Sequence, residues 1–208
     1  GERNIRQHRP AVINASMHPD FVPLTTPEDQ PGVDLALLKL EQPLGNDFAP
    51  LDPRGAASIT DGQPVDIAGF GVVAENRRNS ARILRLAHLV SIGSLQVANR
   101  VTVVTDRRRM AETSGAGACL GDSGGPILTG GPGGYRIVGV VSWSSGAMRQ
   151  DRRARTACGG FTAVTPTGEH TSWISSRAAE MAAMPAGVAA GQAGRSEWMA
   201  RPARRRAY

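Results

Sequence analysis

The sequence predicts an all-β fold closed by one C-terminal helix, and three observations carry that prediction. Short apolar runs recur between turn-forming segments. The 208 residues include 25 glycines and 14 prolines, a usage suited to many turns. A single helical pattern, Ser172 to Met184, is followed at once by Pro185, which cannot continue it. With 40% hydrophobic residues the chain can bury a sizeable core, and its length allows one or two domains.

In chain order, Ala11 to Ser16 and Asp34 to Leu40 read as a first group of strands. Residues 42–62, rich in Pro, Gly and Asp, read as a linker. A second group follows: Val65-Asp66-Ile67-Ala68, Ile83 to Val90, Val101 to Thr105, Pro126 to Thr129, Arg136 to Trp143 and Phe161 to Val164. The chain thus divides into 1–62, 63–174 and a final part, 175–208, that holds the helix end and a tail expected to be solvated and disordered.

The net charge of +6 is unevenly placed. Residues 175–208 hold Arg177, Arg195, Arg201, Arg204, Arg205 and Arg206 against Glu180 and Glu197, so four of the six charges lie there. This distribution argues against a specific nucleic-acid surface, and the tail is suited at most to weak, salt-dependent binding of polyanions. Of 24 basic residues only Lys39 is a lysine. No apolar run approaches the ~18 residues of a spanning helix. The cysteines, Cys119 and Cys158, have no Cys/His cluster around them, so no zinc site and no cofactor is expected; they are either free buried thiols or a disulfide.

The chemistry concentrates in Gly121-Asp122-Ser123-Gly124-Gly125-Pro126. Its glycines permit positive φ and close approach, so successive N–H groups, those of Gly121 and Ser123, can face an oxyanion forming beside the Ser123 hydroxyl. A serine needs a base and a carboxylate that orients it. Upstream, Asp34 leads into the apolar Leu35-Ala36-Leu37-Leu38-Lys39-Leu40, where an acidic residue could equally open a turn before a buried strand.

The hexapeptide matches the nucleophile motif of the trypsin/chymotrypsin-like serine proteases letter for letter, and Val33 to Leu40 resembles that family's aspartate strand. His18-Pro19-Asp20-Phe21, Gly69-Phe70-Gly71, Val141-Ser142-Trp143 and Thr171-Ser172-Trp173-Ile174 extend the resemblance over roughly residues 1–180. It implies two antiparallel β-barrels, the first incomplete here, with the active site between them and a protein or peptide as substrate. It implies Ser123 as nucleophile, Asp34 as the carboxylate that orients the base, and Ser142 in support of Asp34. A Cys119–Cys158 disulfide would staple the specificity pocket and place the protein in a secreted, oxidising setting. The pocket would be formed by Gly117, Ala118, Ser142, Trp143, Ser144 and Gly160. Gly117 stands where trypsin-like members carry an aspartate, which implies a neutral, small or medium apolar side chain beside the scissile bond. Asp151, in the arginine-rich loop 144–157, could fold back toward that pocket.

Two features depart from the family. No Ala-His-Cys-like segment precedes Asp34, where only His8 and His18 occur. His18 matches a surface position, His8 lies in a polar run, His88 should point outward from a strand, and His170 should sit near the helix start. Gly1-Glu2-Arg3 does not match the apolar terminus that pairs, in the family, with the aspartate before the nucleophile, here Asp122. The expectation is an N-terminally truncated endopeptidase that is close to inactive by itself. The alternatives are a non-catalytic binding protein of the same fold and a module acting through its basic tail.

Overall fold

The computed structural model describes residues 10–46, 58–74, 77–108, 115–131, 134–145 and 158–184. Much of the 42–62 linker, His8, Asp151 and the arginine-rich tail lie outside the described residues.

The first group of strands is a two-stranded antiparallel sheet, β1 (Val12–Met17) and β2 (Ala36–Leu40). The expected start of β2 at Asp34 moves to Ala36, because Leu35 N–H closes a tight turn on Val33 O at 3.0 Å and takes Asp34 out of the ladder. The second group closes into a six-stranded barrel of β3 (Pro64–Gly69), β4 (Arg85–Gln96), β5 (Arg100–Thr105), β6 (Pro126–Thr129), β7 (Arg136–Ser145) and β8 (Phe161–Pro166), in the order β3-β4-β5-β8-β7-β6. Closure leaves these strands without a free sheet edge. β4 begins two residues later than expected and runs on to Gln96 past an irregularity between Ser91 and Ser94, so β4 and β5 form one long hairpin.

Alternation places Val65, Ile67, Leu89, Ile127, Val138, Val141 and Val164 inside the barrel. β5 is buried from Val101 to Thr105 because its second face, Val101 and Val103, is covered by Trp143 and Phe161.

Among the described residues there is one α-helix, α1 (Thr171–Ala183), which ends where Met184 turns to an extended backbone (ψ 130°), the conformation favoured before Pro185. It clamps the small sheet. Lys39 Nζ donates to the Met181 and Met184 carbonyls at 2.6 Å each, a cation on the helix's C-terminal acceptors. Arg177 Nε donates to Ser16 Oγ at 2.7 Å, and Asn14 Nδ2 to Met184 Sδ at 3.2 Å.

Candidate active site

The loop before β6 is two interlocked turns. In Cys119-Leu120-Gly121-Asp122, the Asp122 N–H donates to Cys119 O at 3.0 Å and Gly121 has φ +95°. This is a type II turn, whose third residue needs positive φ and therefore glycine. Asp122 O accepts the Gly125 N–H at 2.9 Å, completing the second turn around Ser123. Leu120 O accepts the Val72 N–H at 3.0 Å. Because a peptide is planar and trans, the Gly121 N–H points the opposite way from that oxygen. Among the described residues, the N–H groups of Gly121 and Ser123 donate to no protein acceptor, and Ser123 is exposed.

The loop and Asp34 meet at one stretch of β7. Gly124 N–H donates to Val141 O at 2.8 Å, and Val141 N–H to Gly125 O at 2.9 Å. The next residue, Ser142, donates through Oγ to Asp34 Oδ2 at 2.6 Å. Two hydrogen-bonded steps therefore connect the serine loop of the barrel to a carboxylate from the turn that leads into the small sheet. Asp34 is half-buried rather than buried, since its turn lies at the edge of the sheet.

Asp122 faces away from this meeting point. Its Oδ1 accepts the Gly71 N–H at 2.8 Å and its Oδ2 the Cys119 N–H at 3.0 Å. A Cβ on either Gly69 or Gly71 would fall on the carboxylate, which gives the Gly-Phe-Gly sequence a physical reason. A cavity of about 420 Å³ opens beside it, lined among others by Val72, Arg85, Leu86 and Gly117.

The expected pocket segments face one another. Gly115 N–H donates to Gly159 O at 3.1 Å, Ala118 N–H to Thr162 Oγ1 at 3.0 Å, and Cys119 is disulfide-bonded to Cys158. A Cβ on Gly117 would meet Gly160 O at 3.3 Å, so the side-chain-free position abuts the opposite segment. Ser144 pairs with Thr162 in the β7–β8 ladder, and Trp143 with Ala163. Trp143 also lines an apolar cavity of about 340 Å³ with Ile92, Leu95 and Phe161.

The described histidines lie elsewhere. His18, expected at the surface, is 9% exposed, because His170, at the cap of the clamping helix, and the helix's Trp173 pack on its ring with centroids 4.9 and 4.8 Å away. Its Nδ1 accepts the Asp20 N–H at 3.2 Å. His170 stands at the cap of α1, and burial, then the neighbouring His18, pull its pKa below the usual imidazole value, against smaller opposing effects of Glu169 and Asp20. His88 points outward and pairs with Asp66 at 2.5 Å. Among the described residues no histidine is hydrogen-bonded to Asp34 or Ser123.

Sequence reasoning missed three supporting groups. Thr162 accepts the Ala118 N–H through its hydroxyl and so holds one of the expected pocket segments. Buried Asn99, in the β4–β5 turn, donates to Gly32 O at 2.6 Å, fixing the segment just before Asp34. Arg85 donates to Gly71 O at 3.2 Å. Only alternation within Phe161 to Val164 signalled Thr162; the other two are long-range pairings with no local pattern.

The family model for trypsin matches residues 1–174. The chain belongs to the trypsin family. It is similar to vitamin K-dependent protein C of Rattus norvegicus, 29% identical over 191 residues that cover 85% of this chain and 39% of the relative. The same protein of Felis catus is 30% identical over 143 residues, 64% of this chain and 88% of the relative. Protein masquerade of Drosophila melanogaster is 28% identical over 134 residues, 53% of this chain and 13% of the relative. The chain therefore spans well under half the length of two of these three relatives. Among solved structures, neuropsin, a serine protease expressed in the limbic system of mouse brain, superposes with a TM-score of 0.61 at 22% identity. That match covers 81% of this chain and 71% of neuropsin, a likeness of fold. The closed barrel, second sheet and C-terminal helix agree with the all-β architecture expected of a trypsin-family chain.

Proposed function

We propose that this chain carries the acylation machinery of a serine endopeptidase. Ser123 Oγ attacks a peptide carbonyl, the resulting oxyanion is held by the Gly121 and Ser123 N–H groups, and the C–N bond breaks to leave an acyl-serine that water hydrolyses. An imidazole takes the serine proton and passes it to the leaving amine, with Asp34 accepting its Nδ1–H and Ser142 fixing Asp34. The observation that carries this reading is the path from the serine loop through Val141 and Ser142 to Asp34, next to two N–H groups without a protein acceptor. Asp122, beside a cavity with apolar walls, is read as the seat of an activating amino terminus. Gly117 against Gly160 supports preference for a neutral, small or medium apolar side chain. The disulfide suits an oxidising compartment, and we read the protein as secreted, with protein or peptide substrates and at most weak polyanion binding by the tail.

The described histidines are engaged away from Asp34, which favours a second reading, a non-catalytic binding protein of the same fold. Exogenous imidazole separates the two. The chain alone should label with a serine-directed fluorophosphonate extremely slowly, since loss of a triad histidine costs on the order of 10⁶ in turnover in subtilisin, a different fold with the same triad. Added imidazole should accelerate labelling at Ser123, and Ser123→Ala should abolish it. Prompt labelling without imidazole would overturn the missing-base part of the proposal; none with imidazole would favour the binding protein.

A further inference from the structure

We propose that Arg85 is a positioning residue for the oxyanion site, acting through two peptide groups in series. This rests on the reading of Ser123 as the acylation site. Arg85 Nη1 donates to Gly71 O at 3.2 Å. That oxygen belongs to the same peptide as the Val72 N–H, which donates to Leu120 O at 3.0 Å. Leu120 O in turn belongs to the same peptide as the Gly121 N–H, one of the two donors proposed to hold the oxyanion. The sequence of groups is guanidinium, peptide 71–72, peptide 120–121, oxyanion.

Every link donates in the same direction, so the polarisation of each peptide strengthens the next. One end is a guanidinium cation. The other end is where negative charge develops during acylation, and donors fixed in advance are most effective there. The same Arg85 Nη1 also donates to Ile83 O at 3.2 Å, so two carbonyls share it, and the β3–β4 register places Arg85 opposite Gly69. The Gly71 N–H separately grips Asp122 Oδ1, so the Gly71–Val72 segment holds the type II turn at Leu120 and at Asp122 together. Arg85 touches no reacting atom in this scheme. It sets the orientation and polarity of a peptide that does.

The test compares the chain with Arg85→Met, which keeps the side-chain length without a donor, and Arg85→Gln, which keeps a donor without the charge. In Arg85→Met the maximal imidazole-dependent labelling rate of Ser123 should fall about five- to tenfold, the loss expected of one hydrogen bond. The imidazole concentration for half-maximal rate should stay unchanged, because the base site is untouched, and Arg85→Gln should recover part of the rate. Amide exchange of Val72 should accelerate about tenfold in Arg85→Met while Val104, in the barrel core, stays within about twofold. Wild-type labelling by Arg85→Met, unchanged Val72 protection, or equal loss of protection at Val104 would each overturn the proposal. A wild-type chain that imidazole leaves unlabelled sinks the acylation reading instead, and Val72 exchange then still decides whether Arg85 holds the turn.

Discussion

The closed barrel and the two-stranded sheet solve the problem of stability in opposite ways. The barrel has its own core, with Ile127, Val104 and Val164 fully buried, and it carries the Ser123 loop, the turn proposed to hold an oxyanion and the segments expected to line the pocket. The sheet of β1 and β2 leaves Val12, Met17 and Leu38 more than half exposed and depends on contacts from elsewhere: Lys39, Ser16 and Asn14 to α1, His18 to Trp173, Gly32 to Asn99. A two-stranded sheet is marginal by itself. The proposed nucleophile thus stands on a self-sufficient scaffold, and the carboxylate proposed to serve it stands on a borrowed one.

The largest effect should come from the barrel core. Ile127→Ala removes a side chain with 0% exposure and should cost about 2–5 kcal/mol of global stability, read as a lower urea midpoint for every probe. Leu38→Ala, at 61% exposure on the small sheet, should move the midpoint by no more than about 0.5 kcal/mol. Similar losses at both sites would mean that the two regions share one core and would break the contrast. An intermediate effect belongs to Lys39→Met, which strips the cation from the Met181 and Met184 carbonyls and should cost about 1–3 kcal/mol. That loss should be local, with exchange rising in α1 and β2 and protection kept in β5. Uniform loss of protection would show that the clamp stabilises the barrel as well.

The same division explains what could be read in the sequence. The barrel strands were legible because each alternates against one core, and Pro126 to Thr129 coincides with β6 residue for residue. The serine motif was legible because glycines at fixed positions shape the turn. The sequence singles out Asp34 but not its departure from the strand, because the Leu35–Val33 turn and the Ser142 hydroxyl decide that together. His18 was misjudged as a surface residue because what covers it, His170 and Trp173, lies far along the chain. Arg85 and Asn99 have isolated positions in sequence and acquire meaning only from barrel register and hairpin length. Local periodicity reports what one element buries, and is silent about which carbonyl a distant side chain will reach.

The smallest expected effect tests the borrowed scaffold through pH. His170 is held below the ordinary imidazole value of 6.5, first by burial and then by His18, with Glu169 and Asp20 opposing. The unfolded chain therefore takes up a proton on His170 more readily than the folded chain does. The stability tied to its neutral form is fully present above about pH 6.5 and is lost as pH falls through the lower, folded-state pKa. A proton on His170 would face His18 across the ring contact that joins the Asp34 loop to α1. Acidification from pH 7.5 to 5 should therefore lower the urea midpoint more in the wild type than in His170→Gln, which cannot titrate there. The excess should show first in exchange at the His18 amide, which donates to Leu35 O at 2.9 Å, and not at Val104. Equal pH dependence in the two proteins would remove the histidine pair from the clamp and leave Lys39, Arg177 and Asn14 as its polar contacts.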